Sequence, residues 1–228
     1  MATVRLADYR PAPYRIVHSG LTVQLFADHT LVEAQFQLEP NPLAELGPLE
    51  LQGVALELLE LELDGQPLAV EAYRLESQRL LLLNPPPQPF RLRTLVRIHP
   101  ETNTSLEGLY VSGGMVTSQC EAVGFRRITF HPDRPDLLSR FRVRIEADQT
   151  SCPVLLSNGN CIETGPLPEG RHYAIWDDPF PKPSYLFALV AGRLEEVRDQ
   201  FTTRSGRTVQ LRLHVEPGDT PYTAHAMA

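Results

Sequence analysis

Residues Ser118 to Arg127 read SQCEAVGFRR, setting an amide, a thiol and a carboxylate side by side at Gln119, Cys120 and Glu121. A carboxylate next to an amide carbonyl accepts hydrogen bonds from a cation, and in a poorly hydrated pocket such a charge-assisted bond is strong. Two readings are open on these residues alone. One is a solvated loop on an exposed edge. The other is a short acidic lip that meets a positively charged ligand.

A second set of chemistry-bearing residues is His131, Asp133 and Asp136. These are metal-ligand types. Pro132 and Pro135 between them favour a corner instead, with Asp133 and Asp136 capping a turn. Cys152 and Cys161 are not spaced like a zinc ribbon. With Cys120 they make an odd count without a close pairing pattern, which argues for three reduced thiols with packing roles and against a disulfide framework. None of the seven histidines is followed by glutamate, so no His-Glu-x-x-His exists. Phosphate-binding loops, Gly-x-Gly-x-x-Gly and the Gly-x-Ser-x-Gly nucleophile elbow are missing as well. The residues contain no recognisable catalytic engine.

The elements that must position Gln119 and Glu121 are strands. Leu21, Val23 and Leu25 alternate with polar residues, Asp28 and His29 turn the chain, and Val32, Ala34, Phe36 and Leu38 alternate back, a hairpin with one buried face. Leu59, Leu61 and Leu63 run into Asp64-Gly65, a strong hairpin turn. Leu80 to Leu83 form a short apolar run stopped by Pro85, Pro86 and Pro87. Leu92, Val96 and Ile98 follow, then Phe141, Val143, Ile145 and Ala147. Tyr185 to Ala191 is nearly all apolar and predicts a strand buried on both faces. Val209, Leu211, Leu213 and Val215 alternate again. Helical periodicity is weak. One turn is expected at Pro135 to Arg140, with Asp133 as cap and Pro135 at the first helical position. Tyr222 to Ala228 read as the opening of a helix. The pattern predicts an all-β fold, an antiparallel sandwich or curved multi-sheet domain.

Composition agrees. The 228 residues suffice for one large β domain, or one domain plus a fragment, and 42% are hydrophobic, as in ordinary globular proteins. Net charge of −7 argues against nucleic acid as a partner. No apolar run approaches the roughly 18 to 20 residues that span a membrane. The start, MATVRLADYRPAPYR, lacks the apolar stretch of a signal peptide, so a cytoplasmic location is expected.

Six segments in order carry a family likeness: NTSLEGLY (Asn103 to Tyr110), QCEAVGFR (Gln119 to Arg126), DRPDLLSRF (Asp133 to Phe141), LLSNGN (Leu155 to Asn160), DPFPKPSYLFALVAG (Asp178 to Gly192) and FTTRSGR (Phe201 to Arg207). Together they resemble the N-terminal domain of the M1 zinc aminopeptidases. Residues 40–100 match in strand pattern alone. The resemblance implies a saddle-like β domain that precedes a thermolysin-like catalytic domain. That second domain holds one Zn2+ through His-Glu-x-x-His and a distant glutamate, and binds the substrate amine through Gly-x-Met-Glu-Asn. Neither motif occurs here, so both are expected downstream of Ala228, with no cofactor in this chain. The family pattern divides the chain into residues 1–193, the β domain, and 194–228, the opening of the catalytic domain.

The same resemblance gives Gln119 and Glu121 their roles. Glu121 would pair with the α-amine of a peptide N-terminus, and Gln119 would add a carbonyl acceptor and line the first side-chain subsite. Relatives hold the Glu121–Ala122 bond cis. Val123 departs from the family, where a polar or acidic residue is expected. Arg126, Arg134 and Lys182 read as surface or sheet-edge charges and receive no role. The expected partners are peptide N-termini and the chain's own downstream domain, without a membrane. Two other readings stand beside this one: a stand-alone β-sandwich binding module, and a catalytically inactive relative.

Overall fold

The computed structural model describes residues 5–227. Met1 to Val4, part of the start read for a leader, and Ala228, the end of the expected helix, lie outside the described residues. Along the chain run β1 (Tyr14–Leu25), β2 (Thr30–Pro40), β3 (Leu49–Gln52), β4 (Glu57–Leu63), β5 (Gln66–Pro67), β6 (Tyr73–Glu76), β7 (Arg79–Leu82) and β8 (Phe90–Ile98). They are followed by β9 (Gly108–Ser112), β10 (Met115–Gln119), β11 (Ser139–Asp148), β12 (Val154–Ser157), β13 (Asn160–Pro166), β14 (Arg171–Lys182), β15 (Leu189–Gly192), β16 (Glu195–Thr202) and β17 (Thr208–Val215). A helix, α1 (Ala224–Met227), closes the described chain after a 3-10 turn at Thr220–Thr223, where the sequence predicts a helix to open.

Four sheets result. The largest has eight strands in the order β13-β14-β11-β1-β2-β8-β4-β5; the others are β12-β15-β10-β9, β3-β7-β6 and the pair β16-β17. The expected hairpins form: β1 pairs with β2, closing at Leu25 and Thr30, and β4 turns into β5 through Asp64 (φ 51°) and Gly65 (φ 78°). One pairing departs from the antiparallel expectation. β1 and β11 run parallel, from His18 opposite Arg140 to Gln24 opposite Glu146. Parallel neighbours need a long crossover, and the whole of β2 to β10 supplies it.

Alternation builds the core. On β2, Val32, Ala34, Phe36 and Leu38 point inward; on β11, Phe141, Val143, Ile145 and Ala147 do. Leu51, Leu80 and Leu82 of the three-stranded sheet and Leu109, Leu189 and Ala191 of the four-stranded sheet pack into the same cluster. The polar side of the eight-stranded sheet carries its ion pairs, with Arg93 held between Glu33, Glu60 and Glu62.

Several expectations need correction. The 185–191 run is not one doubly buried strand. Ser184–Leu186 make a 3-10 turn that leaves Leu186 51% exposed, and β15 begins only at Leu189. No helix forms over Pro135–Arg140. Arg134 N bonds Pro132 O and Leu137 N bonds Arg134 O, and β11 begins at Ser139. Asp133 caps nothing there because its carboxylate is committed elsewhere. Lys182 is not a surface charge: it is 8% exposed, bonds Asp178 Oδ2 at 2.5 Å and lies 4.6 Å from the Phe141 ring centroid. The three thiols are free, and Cys120 is buried, but Cys161 sits exposed on the edge strand β13 and has no packing role.

Candidate functional site

The Ser118–Arg127 stretch leaves the four-stranded sheet and folds back onto the core. β10 pairs with β9 down to Gln119 opposite Gly108. The Ser118 Oγ accepts from Leu189 N at 2.8 Å, fixing the strand's other side. Beyond Gln119 the chain cannot continue the ladder. Gly124 N donates to Cys120 O at 2.8 Å, and Gly124–Arg127 wind into a 3-10 helix. The Glu121–Ala122 peptide bond is cis, as the resemblance implied.

Burial along this stretch separates anchors from ligand-facing groups. Gln119, Glu121, Ala122 and Val123 are exposed, while Cys120, Gly124 and Phe125 are buried. Cys120 points down, and burial pushes its thiol far above the ordinary cysteine range, so it stays protonated and is no nucleophile. Phe125 is the deeper anchor. Its ring meets His131, Phe187 and Phe141 edge to face at 4.9, 5.2 and 5.9 Å between centroids. Two glycines let the backbone close. A Cβ on Gly124 would run into Gln119 O, and one on Gly108, at φ 74°, would come within 2.6 Å of Arg127 Cβ.

Above these anchors stand the two predicted residues. The Gln119 Nε2 donates to Glu121 O at 3.2 Å, which ties the side chain of one to the backbone of the other. The neighbouring arginines are committed elsewhere, Arg126 to Asp133 at 2.9 Å and Arg127 to Glu107 at 3.3 Å. Glu121 therefore has no ion pair among the described residues. An exposed anionic carboxylate on an anchored backbone can receive an ammonium or guanidinium group with little reorganisation.

The structure does not bring His131, Asp133 and Asp136 together as ligands. His131 is buried with both ring nitrogens unpartnered, and burial lowers its pKa to about 4. Asp136 pairs with Arg134 at 2.7 Å and accepts from Tyr9 Oη at 2.8 Å. Among the described residues no group of three His, Cys, Asp or Glu could hold a metal ion. These residues do not fit a zinc site, and no chemical step here runs through one. The aromatic cluster under the loop and the role of Asp133 were not foreseen. Neither leaves a periodic or spacing signal, since His131 and Asp133 meet Phe125 and Arg126 through a corner.

These features define a multi-sheet all-β domain with an anchored, carboxylate-bearing loop at the end of an inner strand. The sequence profile of the Peptidase M1 N-terminal domain family matches residues 22–186, and the chain belongs to that family. It is 49% identical over 224 residues to aminopeptidase N of Caulobacter vibrioides, covering 98% of this chain and 26% of that protein. It is 46% identical over 220 residues to aminopeptidase N of Escherichia coli, covering 96% and 25%. The chain thus spans about a quarter of the length of the curated relatives it matches. Among solved structures, Legionella pneumophila aminopeptidase A in complex with aspartic acid superposes with a TM-score of 0.93 at 35% identity, over 98% of this chain and 26% of that one. An M1 zinc metallopeptidase of Deinococcus radiodurans superposes at 0.75 with 18% identity, over 92% of this chain and 52% of that one, a likeness of fold. Among the described residues no helix is long and apolar enough to cross a membrane.

Proposed function

We propose that this chain is the N-terminal β domain of a cytoplasmic zinc aminopeptidase of the alanyl type, an enzyme that removes N-terminal residues from peptides. In this reading the chain supplies recognition of the substrate's α-ammonium group and no zinc ligand or general base. The single Zn2+ and the catalytic motifs belong to the rest of the polypeptide. The observation that carries the reading is the exposed Glu121, without an ion pair among the described residues, beside Gln119 on a loop pinned from below by Cys120 and Phe125.

An exopeptidase must measure from the free amine to the scissile carbonyl. Glu121 would hold the ammonium by a charge-assisted bond, and Gln119 would add an amide oxygen and border the first side-chain subsite. Because the backbone under both is anchored, the pair acts as a ruler that fixes the first residue before chemistry. Three free thiols agree with a reducing compartment.

The division at residue 193 belongs to the same reading. It is supported by β16 and β17, which pair with one another and contribute no residue to the core cluster. Residues 194–228 would then open the catalytic domain and make this chain's contact with it.

The test uses the complete polypeptide and an alanyl anilide. Glu121→Ala should lower kcat/KM by about 2 to 4 kcal/mol, roughly 30- to 1000-fold, through loss of a desolvated charge pair. An unchanged kcat/KM removes Glu121 from the site. The purified 228-residue chain should neither turn over the anilide nor bind stoichiometric zinc. Turnover by that chain would end the proposed division of labour.

A further inference from the structure

Asp133 is the most heavily committed polar side chain near the loop. Its carboxylate is 1% exposed. Oδ2 accepts from Arg126 Nε at 2.9 Å and from Arg126 N at 3.3 Å, and Oδ1 accepts from Ser184 Oγ at 2.5 Å. Its backbone oxygen accepts from Arg126 Nη2 at 3.3 Å, and its backbone nitrogen donates to Gln52 Oε1 at 2.9 Å. Arg126 O in turn accepts from Val54 N at 2.9 Å. One residue therefore joins three places: its side chain holds the turn before β15 and the far end of the Ser118–Arg127 loop, and its backbone nitrogen holds Gln52 of the three-stranded sheet.

The near end of that loop is fixed by the β9–β10 ladder at Gln119, and its middle by the Gly124 N to Cys120 O bond. Arg126 is the far end, where the Asp133 carboxylate holds the guanidinium and the backbone nitrogen while Val54 N holds the backbone oxygen. A buried ion pair is a poor way to gain stability, since well-packed apolar residues of similar volume do as well or better. What it does supply is one geometry, because a planar guanidinium and a carboxylate fit in a defined direction. The polar pair sits one residue beyond the buried Phe125 and adds a directed contact to the anchoring that burial gives the loop.

We propose that Asp133 is a positioning residue for amine recognition. Through Arg126 it sets the height and direction at which the loop presents Glu121. This rests on the reading of Glu121 given above. Asp133 touches no substrate; it acts through the backbone between Glu121 and Arg126.

The experiment is a double-mutant cycle in the complete polypeptide, reading kcat/KM for an alanyl anilide. Asp133→Asn should cost about tenfold in the otherwise native enzyme, and less than about twofold when Glu121→Ala is already present, since the two substitutions then remove one function. Equal losses in both backgrounds would mean a general structural role and overturn the proposal. So would no loss from Asp133→Asn alone. If Glu121→Ala by itself leaves kcat/KM unchanged, the amine-recognition reading fails first, and that outcome is read from the single variant. If Asp133→Asn does not fold, Arg126→Lys repeats the cycle. It keeps the charge and loses the fork, with an expected loss of about fivefold that again vanishes in the Glu121→Ala background.

Discussion

The eight-stranded sheet and the β16–β17 hairpin carry the same alternation of apolar and polar residues, yet they bury it differently. On β2 the inward residues Val32, Ala34 and Phe36 have no exposed surface. On β17 the corresponding residues Val209, Leu211 and Leu213 remain half-buried, and Phe201 on β16 is 57% exposed. The first alternation meets two further sheets and closes a core. The second meets nothing comparable among the described residues. A period of two shows that a strand has an apolar face; it does not show what lies against that face.

The comparison can be broken by substitution, and the largest effect belongs to the core. Phe36→Ala should destabilise the chain by about 3 to 5 kcal/mol, the cost of emptying a closed aromatic site. The midpoint of urea unfolding measures it, and a loss under about 1 kcal/mol would mean that the sheet face is loosely covered.

The next effect depends on pH. Burial lowers the His131 pKa from 6.5 to about 4, against the opposing pull of Asp133. The unfolded chain then takes up the proton first. The stability is fully present above pH 6.5, and it is lost as pH falls toward 4. The loss reaches on the order of 3 kcal/mol at the acid end. Unfolding midpoints collected from pH 7 down to pH 4 test this. His131→Phe should flatten the slope, and an unchanged slope would assign it to other groups.

The smallest effect sharpens the contrast. Leu211→Ser on the hairpin should shift the unfolding midpoint of this chain by no more than about 0.5 kcal/mol, as for a surface site. In the complete polypeptide, where the proposed second domain would cover β17, the same substitution should cost about 2 kcal/mol or more. Equal small losses in both would leave the hairpin face uncovered and weaken the proposed boundary at residue 193.

Much of the fold was legible because alternation, Asp64-Gly65 and the proline stops are local signals. What escaped was non-local. The β1–β11 pairing is parallel and joins residues separated by nine intervening strands, so no turn announces it. The register of β1 also slips: a bulge between Ile16 and His18 leaves Val17 exposed and moves Ser19 inward, which simple alternation does not foresee. The 185–191 run misled because apolar composition does not separate a buried strand from a 3-10 turn over the core.

At the candidate site, Gln119 and Glu121 could be named from the family likeness, because those residues lie within one short conspicuous segment. Residue types alone left two readings open, a solvated loop and an acidic lip. Their supports could not be named. Phe125, His131, Phe141 and Phe187 are scattered over more than sixty positions, and a sequence does not show which aromatic rings meet. Arg126 read as a surface charge and Asp133 as a turn cap, and nothing local showed that the corner at Pro132 would fold one onto the other.

Cys120 lies between the two exposed residues of the strip, buried and held protonated. Alkylating reagents attack the thiolate at an accessible sulfur, so Cys120 reacts when the loop lifts away from the core. Cys161, on the surface of an edge strand, reacts without waiting. The ratio of the two labelling rates is then a clock for the loop. It counts openings of the strip that carries Glu121, with the reference built into the same molecule.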